Sequence, residues 1–246
     1  MSERSLVLFE LAGADQAVRF SPHCWKTRMA LAHKGLTAQS VPWRFTDKAE
    51  IAFSEQTCVP VLIDNGVTVS DSWRIAQYLE RHFPQMPSLA GDNGDLAACA
   101  FVNQWADATL LPALARLLIP DVYHALHTKD RQYFRASREA RLGMAIEQLP
   151  QHRQDYLNEL KRVLAPLRAT LKRQPFLAGD APNYADYCVF GMFMWSRCVS
   201  DIAIVEPDDP IHAWREQLLD LFDGLARKAP VHHLTTGDNT HDQPRR

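Results

Sequence analysis

One break in the chemistry of this chain limits what it can fold into more than any other feature. Residues 82–95 contain Pro84, Pro87, Gly91 and Gly94, the composition of a linker. Before that break, short apolar runs alternate with a helical pattern. Leu6 to Leu11 reads as a buried strand. Pro22 to Lys34 reads as a helix with Trp25, Met29 and Ala32 on one face, and Gly35 is placed to end it in a left-handed turn. A second strand fits Thr37 to Trp43. Pro60 to Asp64, Asn65-Gly66 and Val67 to Val69 signal a hairpin, because Asn-Gly tolerates the positive φ angles of a two-residue turn. A helix over Asp71 to His82, with Ile75, Ala76 and Leu79 inward, completes the order β-α-β, irregular stretch, β-β-α. A parallel βαβ unit joined to a hairpin is an α/β sandwich.

Beyond the break no convincing strand appears. Leu157, Leu160, Val163, Leu164, Leu167 and Leu171 keep the 3.6-residue period, and Trp214, Leu218, Leu221 and Leu225 keep it again. The expected organisation is a mixed α/β domain over residues 1–83, a linker over 84–95, an all-helical domain over 96–232, and a polar, flexible tail over 233–246.

Composition serves mainly to exclude. The 246 residues are 46% hydrophobic and 23% charged, which suits a soluble globular protein. Lys and Arg number 27 against 29 Asp and Glu, a net charge of −2, so no global field favours a nucleic acid or concentrates a cation. Arg131, Arg135 and Arg138 recur at helical spacing, but Asp130 and Glu139 dilute them and they read as a solvated face. His232, His233 and His241 match no zinc signature, so no metal is expected. The apolar run Leu110 to Ile119 holds Pro112 and Arg116 and falls short of the roughly 18–20 residues of a membrane helix. Met1 to Ser5 lacks a signal-peptide cleavage site, and five scattered cysteines (Cys24, Cys58, Cys99, Cys188, Cys198) suit reduced thiols. A cytoplasmic location is the expectation. There is no Gly-x-Ser-x-Gly turn for a serine hydrolase and no Gly-rich phosphate loop.

Three places offer chemistry, each with a plain structural reading beside it. In Phe20-Ser21-Pro22-His23-Cys24-Trp25, Ser21 and Pro22 suit an N-cap and first helical residue, with Phe20 and Trp25 at the positions of a hydrophobic staple. The same helix start offers free amides and a partial positive charge to an anion such as a thiolate. Ser21 to Cys24 has the spacing of the redox motif Cys-Pro-x-Cys with serine in the nucleophile's place, which excludes dithiol exchange there. Cys24 is expected to pack inward. Val59-Pro60 opens the hairpin; the proline is ordinary at a strand start, and a cis bond would turn the Val59 backbone outward toward an extended peptide. Ser70-Asp71-Ser72 precedes the next helix, either as a cap or as a pocket for a carboxylate with Asp71 meeting an ammonium.

The order of these elements resembles the glutathione transferase family: a serine at a helix start, Val-Pro before a hairpin, Asp-Ser at the next helix start, then an all-helical half. Leu177 to Asp186 adds to the resemblance. The family has a Ser/Thr-x-x-Asp capping box at this place, and here Asn183 and Asp186 occupy it. Within the family, Ser21 to Arg28, Ala30 to Gly35, Asp71-Ser72-Trp73 and Gly179 to Asp186 resemble the serine-type, etherase-like branch of fungi and bacteria. The resemblance implies a thioredoxin-like N-terminal domain, a helical-bundle C-terminal domain, and glutathione as cosubstrate. It implies that Ser21 is the catalytic residue, donating to the glutathione thiolate. Val59 and Pro60 would hold the cysteinyl backbone, Asp71 and Ser72 the γ-glutamyl end, and Lys48 or Arg44 the glycine carboxylate.

The reaction implied is attack on a hydrophobic aromatic electrophile, in some branch members with cleavage of a β-aryl ether. The rival reading is a glutathione-fold binder of an aromatic ligand or a protein partner, in which Ser21 only caps its helix. A third reading is reductive thiol chemistry through Cys24. Phe9, Trp105, Tyr123 and Trp195 are conceivable walls for the aromatic ligand, none of them assigned. A homodimer is expected from the family.

Overall fold

The computed structural model describes residues 5–91, 94 and 96–232. Asp92, Asn93 and Asp95 of the expected linker, and the expected tail with His233 and His241, lie outside the described residues. The first half is a four-stranded mixed sheet in the order β2-β1-β3-β4. Strand β1 (Leu6–Leu11) runs parallel to β2 (Gln39–Trp43) and antiparallel to β3 (Val61–Asp64), with Leu8 opposite Ser40 on one side and Leu62 on the other. Strand β4 (Val67–Ser70) folds back on β3 across Asn65 and Gly66, whose φ angles of 47° and 90° are those the turn requires. Helix α1 (Pro22–His33) crosses from β1 to β2, α2 (Ser72–His82) follows β4, and a 3-10 stretch, Lys48–Ser54, fills the irregular segment.

The first strand-to-strand connection corrects two readings. β2 begins at Gln39 rather than Thr37, because the helix exit uses Gly35 N–H on Ala32 and Leu36 N–H on Leu31. Helix α1 is also buried nearly all round rather than on one face. Pro22, Cys24, Trp25, Lys26, Thr27, Met29, Ala30 and Leu31 are buried, and Ala32 is only half-buried. The reason is tertiary: α1 packs against α2 and also against a helix of the second half. Two lysines, one within α1 and one at its C-cap, are inside the protein and held by acids. Lys26 Nζ donates to Asp107 at 2.6 Å and Asn103 at 2.8 Å, and a second buried lysine, Lys34, pairs with Glu80 at 2.8 Å.

The second half is helical, with no strand among its described residues. Its helices are α3 (Ala100–Trp105), α4 (Leu111–Ala125), α5 (Thr128–Leu142), α6 (Arg153–Val163), α7 (Ala165–Leu171), α8 (Tyr184–Val199) and α9 (Pro210–Gly224). A wide π turn, Ala106–Leu110, joins α3 to α4 just before Pro112. The long leucine period from Leu157 to Leu171 is divided between α6 and α7, since Pro166 has no N–H to continue the ladder. The period ending at Leu225 is broken too. Phe222 and Asp223 take left-handed φ angles of 54° and 57°, and Phe222 turns back onto His33 and Tyr187, each 6.3 Å away ring to ring.

Helix α8 is the centre of the molecule. Its cap Asn183 accepts from Ala185 N–H at 2.9 Å, and Asp186 reaches back to Asn183 N–H at 3.0 Å, the expected capping box. Asp186 also accepts from Leu177 N–H at 2.9 Å and Trp214 Nε1 at 2.8 Å. Where α8 meets the start of α1, Gly191 is required. A Cβ there would stand 2.4 Å from the Pro22 carbonyl oxygen.

Candidate active site

Helix α1 starts on Ser21, which is extended at φ −64° and ψ 126° and accepts the Cys24 N–H on its Oγ at 3.3 Å. The cap uses the hydroxyl oxygen as an acceptor, and that bond does not consume the hydroxyl proton. Pro22 occupies the first helical position and no acidic side chain lies in the first turn, so the positive end of the helix is uncompensated. The loop before it is pinned by Trp25 Nε1 donating to the Arg19 carbonyl at 2.8 Å. Phe20 and Trp25, the staple positions, are both buried. Beneath Ser21, Cys24 is fully buried. Burial first, and then the charge of Glu10, push its thiol up to about 12, so it stays protonated and unreactive at neutral pH.

Ser21 opens on a cleft of about 570 Å³ between the two halves. Val59 borders the same cleft, and its peptide bond to Pro60 is cis. Neither the N–H nor the C=O of Val59 has a partner among the described residues. Asp71 is exposed, has φ 75°, and caps α2 by accepting from Trp73 and Arg74 N–H, each at 3.0 Å. Ser72 is buried, and its carbonyl accepts from Tyr184 O–H at 2.8 Å, a bond that ties the start of α2 to α8.

The structure separates the two cations expected near the glycine carboxylate. Arg44 donates to the carbonyls of Gly13 at 3.3 Å and Ala14 at 3.1 Å, while its neighbours Trp43 and Phe45 line the cleft. Lys48 lies 4.7 Å from the ring centre of Tyr133, a residue of the cleft wall. His23, two residues after Ser21, also borders the cleft, with Nδ1 3.7 Å from Asp107. Burial, and then the charge of Lys26, lower its pKa, so the ring is neutral at physiological pH.

Of the four conceivable aromatic walls only Trp195 lines the cleft. Phe9 packs on Phe53 at 5.6 Å instead. The far wall comes from α4 and α5, through Ile119, Tyr133, Phe134 and Leu142 among others. Sequence reasoning missed these residues because nothing local distinguishes a helix face turned to a cleft from one turned to a core. One signal was present and misread. Arg138 belongs to the arginine row taken as a solvated face, yet it is half-buried over Phe134 and lines the cleft. The other two follow that reading more closely. Arg135 pairs with Glu139 and Glu147, and Arg131 bonds the Leu126 and His124 carbonyls.

A mixed sheet with a cis-proline hairpin, joined to a helical bundle with a cleft between them, defines a thioredoxin-like protein with a second, α-helical domain. Residues 20–82 match the family model of the glutathione S-transferase N-terminal domain, and residues 97–214 match that of the glutathione S-transferase C-terminal domain. The chain belongs to the glutathione S-transferase family. It is 23% identical over 196 residues to glutathione S-transferase U22 of Arabidopsis thaliana, covering 77% of each chain. Its fold is similar to that of glutathione transferase GSTFuA3 from Phanerochaete chrysosporium, at TM-score 0.77 and 23% identity over 87% of this chain and 96% of that one. It is also similar to CsGST63524 of Ceriporiopsis subvermispora, whose structure is a complex with glutathione, at TM-score 0.74 and 23% identity over 89% and 96%. No helix among the described residues is long and apolar enough to cross a membrane.

Proposed function

We propose that this protein activates the thiol of glutathione and transfers the sulfur to an aromatic electrophile in the cleft. One observation carries the reading: the capped start of α1 and the unpartnered Val59 backbone open on the same cavity. A free thiol has a pKa of about 8.5, so only a few per cent is ionised at neutral pH. Ser21 O–H donating to the sulfur, with the helix start behind it, would stabilise the thiolate. Val59 would pair through its main chain with the cysteinyl residue of glutathione, beside Pro60. Asp71 and Ser72 would meet the γ-glutamyl end, and Lys48 rather than Arg44 the glycine carboxylate. Ether cleavage is the finer form of the same step: the C–S bond forms as the C–O bond breaks, and the aryloxide leaves with the electron pair. A homodimer in the cytoplasm belongs to this reading, and sedimentation would count the subunits.

The test is Ser21→Ala assayed with 1-chloro-2,4-dinitrobenzene across pH. We expect the rate at pH 7 to fall about 8–25-fold, the change in thiolate fraction for a shift of one to two pKa units, with part of the loss regained by pH 9. An unchanged rate at pH 7 would overturn the role of Ser21. A second reading, ligand binding without turnover, draws on the 3.3 Å bond by which Ser21 caps its own helix. It requires that no electrophile be consumed by the wild type while glutathione and the aromatic still bind.

A further inference from the structure

The cleft is mostly apolar, and the arginines that line it, Arg116, Arg138 and Arg141, come from α4 and α5. Arg138 of α5 lays its guanidinium carbon 4.5 Å from the ring centre of Phe134 and 5.4 Å from that of Phe45. Its polar partner is its own neighbour, Ser137 Oγ, at 2.8 Å, and it pairs with no carboxylate among the described residues. Arg141 lines the same cleft less than a turn later. It is exposed and has no hydrogen bond or ion pair among the described residues. The neighbouring cations differ. Arg116 holds Glu159 at 2.5 Å, Arg135 holds Glu147 at 2.6 Å, and Lys129 holds Asp47 at 2.5 Å. Two guanidinium groups without a carboxylate partner at an aromatic wall repel each other, and the half-buried Arg138 also loses hydration. Burial first, and the charge of Arg141 second, lower the pKa of Arg138. An anion brought to this edge relieves both effects.

We infer that the second ligand of the cleft is an aromatic carboxylate or an equivalent aromatic anion. Its ring would lie against Phe45, Tyr133 and Phe134. Its anionic group would be held by the fork of Arg138, with Arg141 beside it. The inference rests on the proposed function for the aromatic nature of the ligand, and it adds the charge. A neutral ring would satisfy the apolar wall and leave both arginines as they are, whereas the acid satisfies both. The same edge has one competing claimant, the glycine carboxylate of glutathione itself, and the experiment separates the two.

The probes are 4-chloro-3-nitrobenzoate and its neutral analogue 4-chloro-3-nitrobenzamide, measured by calorimetry without glutathione so that nothing turns over. The wild type should bind the acid at least about tenfold more tightly than the amide, the scale of one charge-assisted hydrogen bond. In Arg138→Gln/Arg141→Gln this ratio should collapse toward one, and Arg138→Lys should keep part of it. If the double variant fails to fold by circular dichroism, Arg141→Gln alone should still lower the ratio. With glutathione added, the sulfur displaces chloride at the ring carbon, the chloride leaves with the electron pair, and the thiol proton passes to solvent. The acid's advantage should then reappear in kcat/KM. A ratio near one in the wild type, or one untouched by the double variant, overturns the inference. So does Arg138→Gln weakening S-methylglutathione while leaving the ratio intact, which would give the arginine to the tripeptide. Absence of S-methylglutathione binding to the wild type would instead sink the proposed function, and the acid-to-amide ratio would still decide the subsite.

Discussion

Helices α1 and α8 touch at Gly191, and each begins on a side-chain cap, Ser21 for one and Asn183 for the other. The caps have different surroundings. Asn183 and Asp186 are buried, and Asp186 accepts from three N–H groups, on Leu177, Asn183 and Trp214. That box is closed on itself and serves folding. Ser21 is as buried as Asn183, at 4% exposure each, but it accepts one N–H, from Cys24, and lines a cleft beside the unpartnered Val59 backbone. A cap with a free approach on one side is available for ligand chemistry, and one enclosed by its own protein is not. Capping alone therefore distinguishes nothing; what lies in front of the cap does.

The comparison is broken most forcefully at the closed box. Asp186→Ala leaves three donors without their acceptor in the core and should lower stability by about 3–5 kcal/mol in urea unfolding. A loss below about 1 kcal/mol would mean that water replaces the carboxylate and the box is not closed. At the contact between the helices, Gly191→Ala drives a methyl group into the Pro22 carbonyl. We expect about 1–3 kcal/mol of destabilisation by the same measurement. Since Pro22 follows Ser21 directly, S-methylglutathione affinity should fall as well.

Ser21→Ala should split the two roles of the open cap. Its stability should drop by only about 1 kcal/mol while the neutral-pH rate falls by the larger factor given above. Equal and small losses in both would make Ser21 a cap like Asn183. The mildest probe leaves the sequence intact. Cys58 is exposed at the cleft edge, whereas Cys24, Cys99, Cys188 and Cys198 are buried. Burial pushes Cys24 and Cys198 up to about 12 and raises Cys188, so at pH 8 these three remain thiols. Iodoacetamide should label Cys58 first, and S-methylglutathione should slow that labelling at least severalfold. Mass spectrometry would read both, and labelling indifferent to the ligand would move the tripeptide away from Val59.

Much of this architecture is local information. Asn65-Gly66 specifies its turn because few residues adopt those φ angles. Pro22 and Pro166 mark a helix start and a break because they lack an N–H, although the leucine period across Pro166 hid the break. The Asn183–Asp186 box was legible for the same reason: its partners are three residues apart. The cleft was not legible in this way. Its walls join Ser21, Phe45 and Val59 to Tyr133, Phe134, Arg138 and Trp195, residues from distant parts of the chain.

The sequence by itself determined the elements, their capping and the candidate hydroxyl, since propensity and caps act over a few residues. Only the tertiary structure decided that α1 is enclosed nearly all round, that Arg44 bonds the Gly13 and Ala14 carbonyls, and that Arg138 stands half-buried over aromatic rings. A helix face carries no mark of what will be set against it. Burial and unmet charge are properties of the assembled fold.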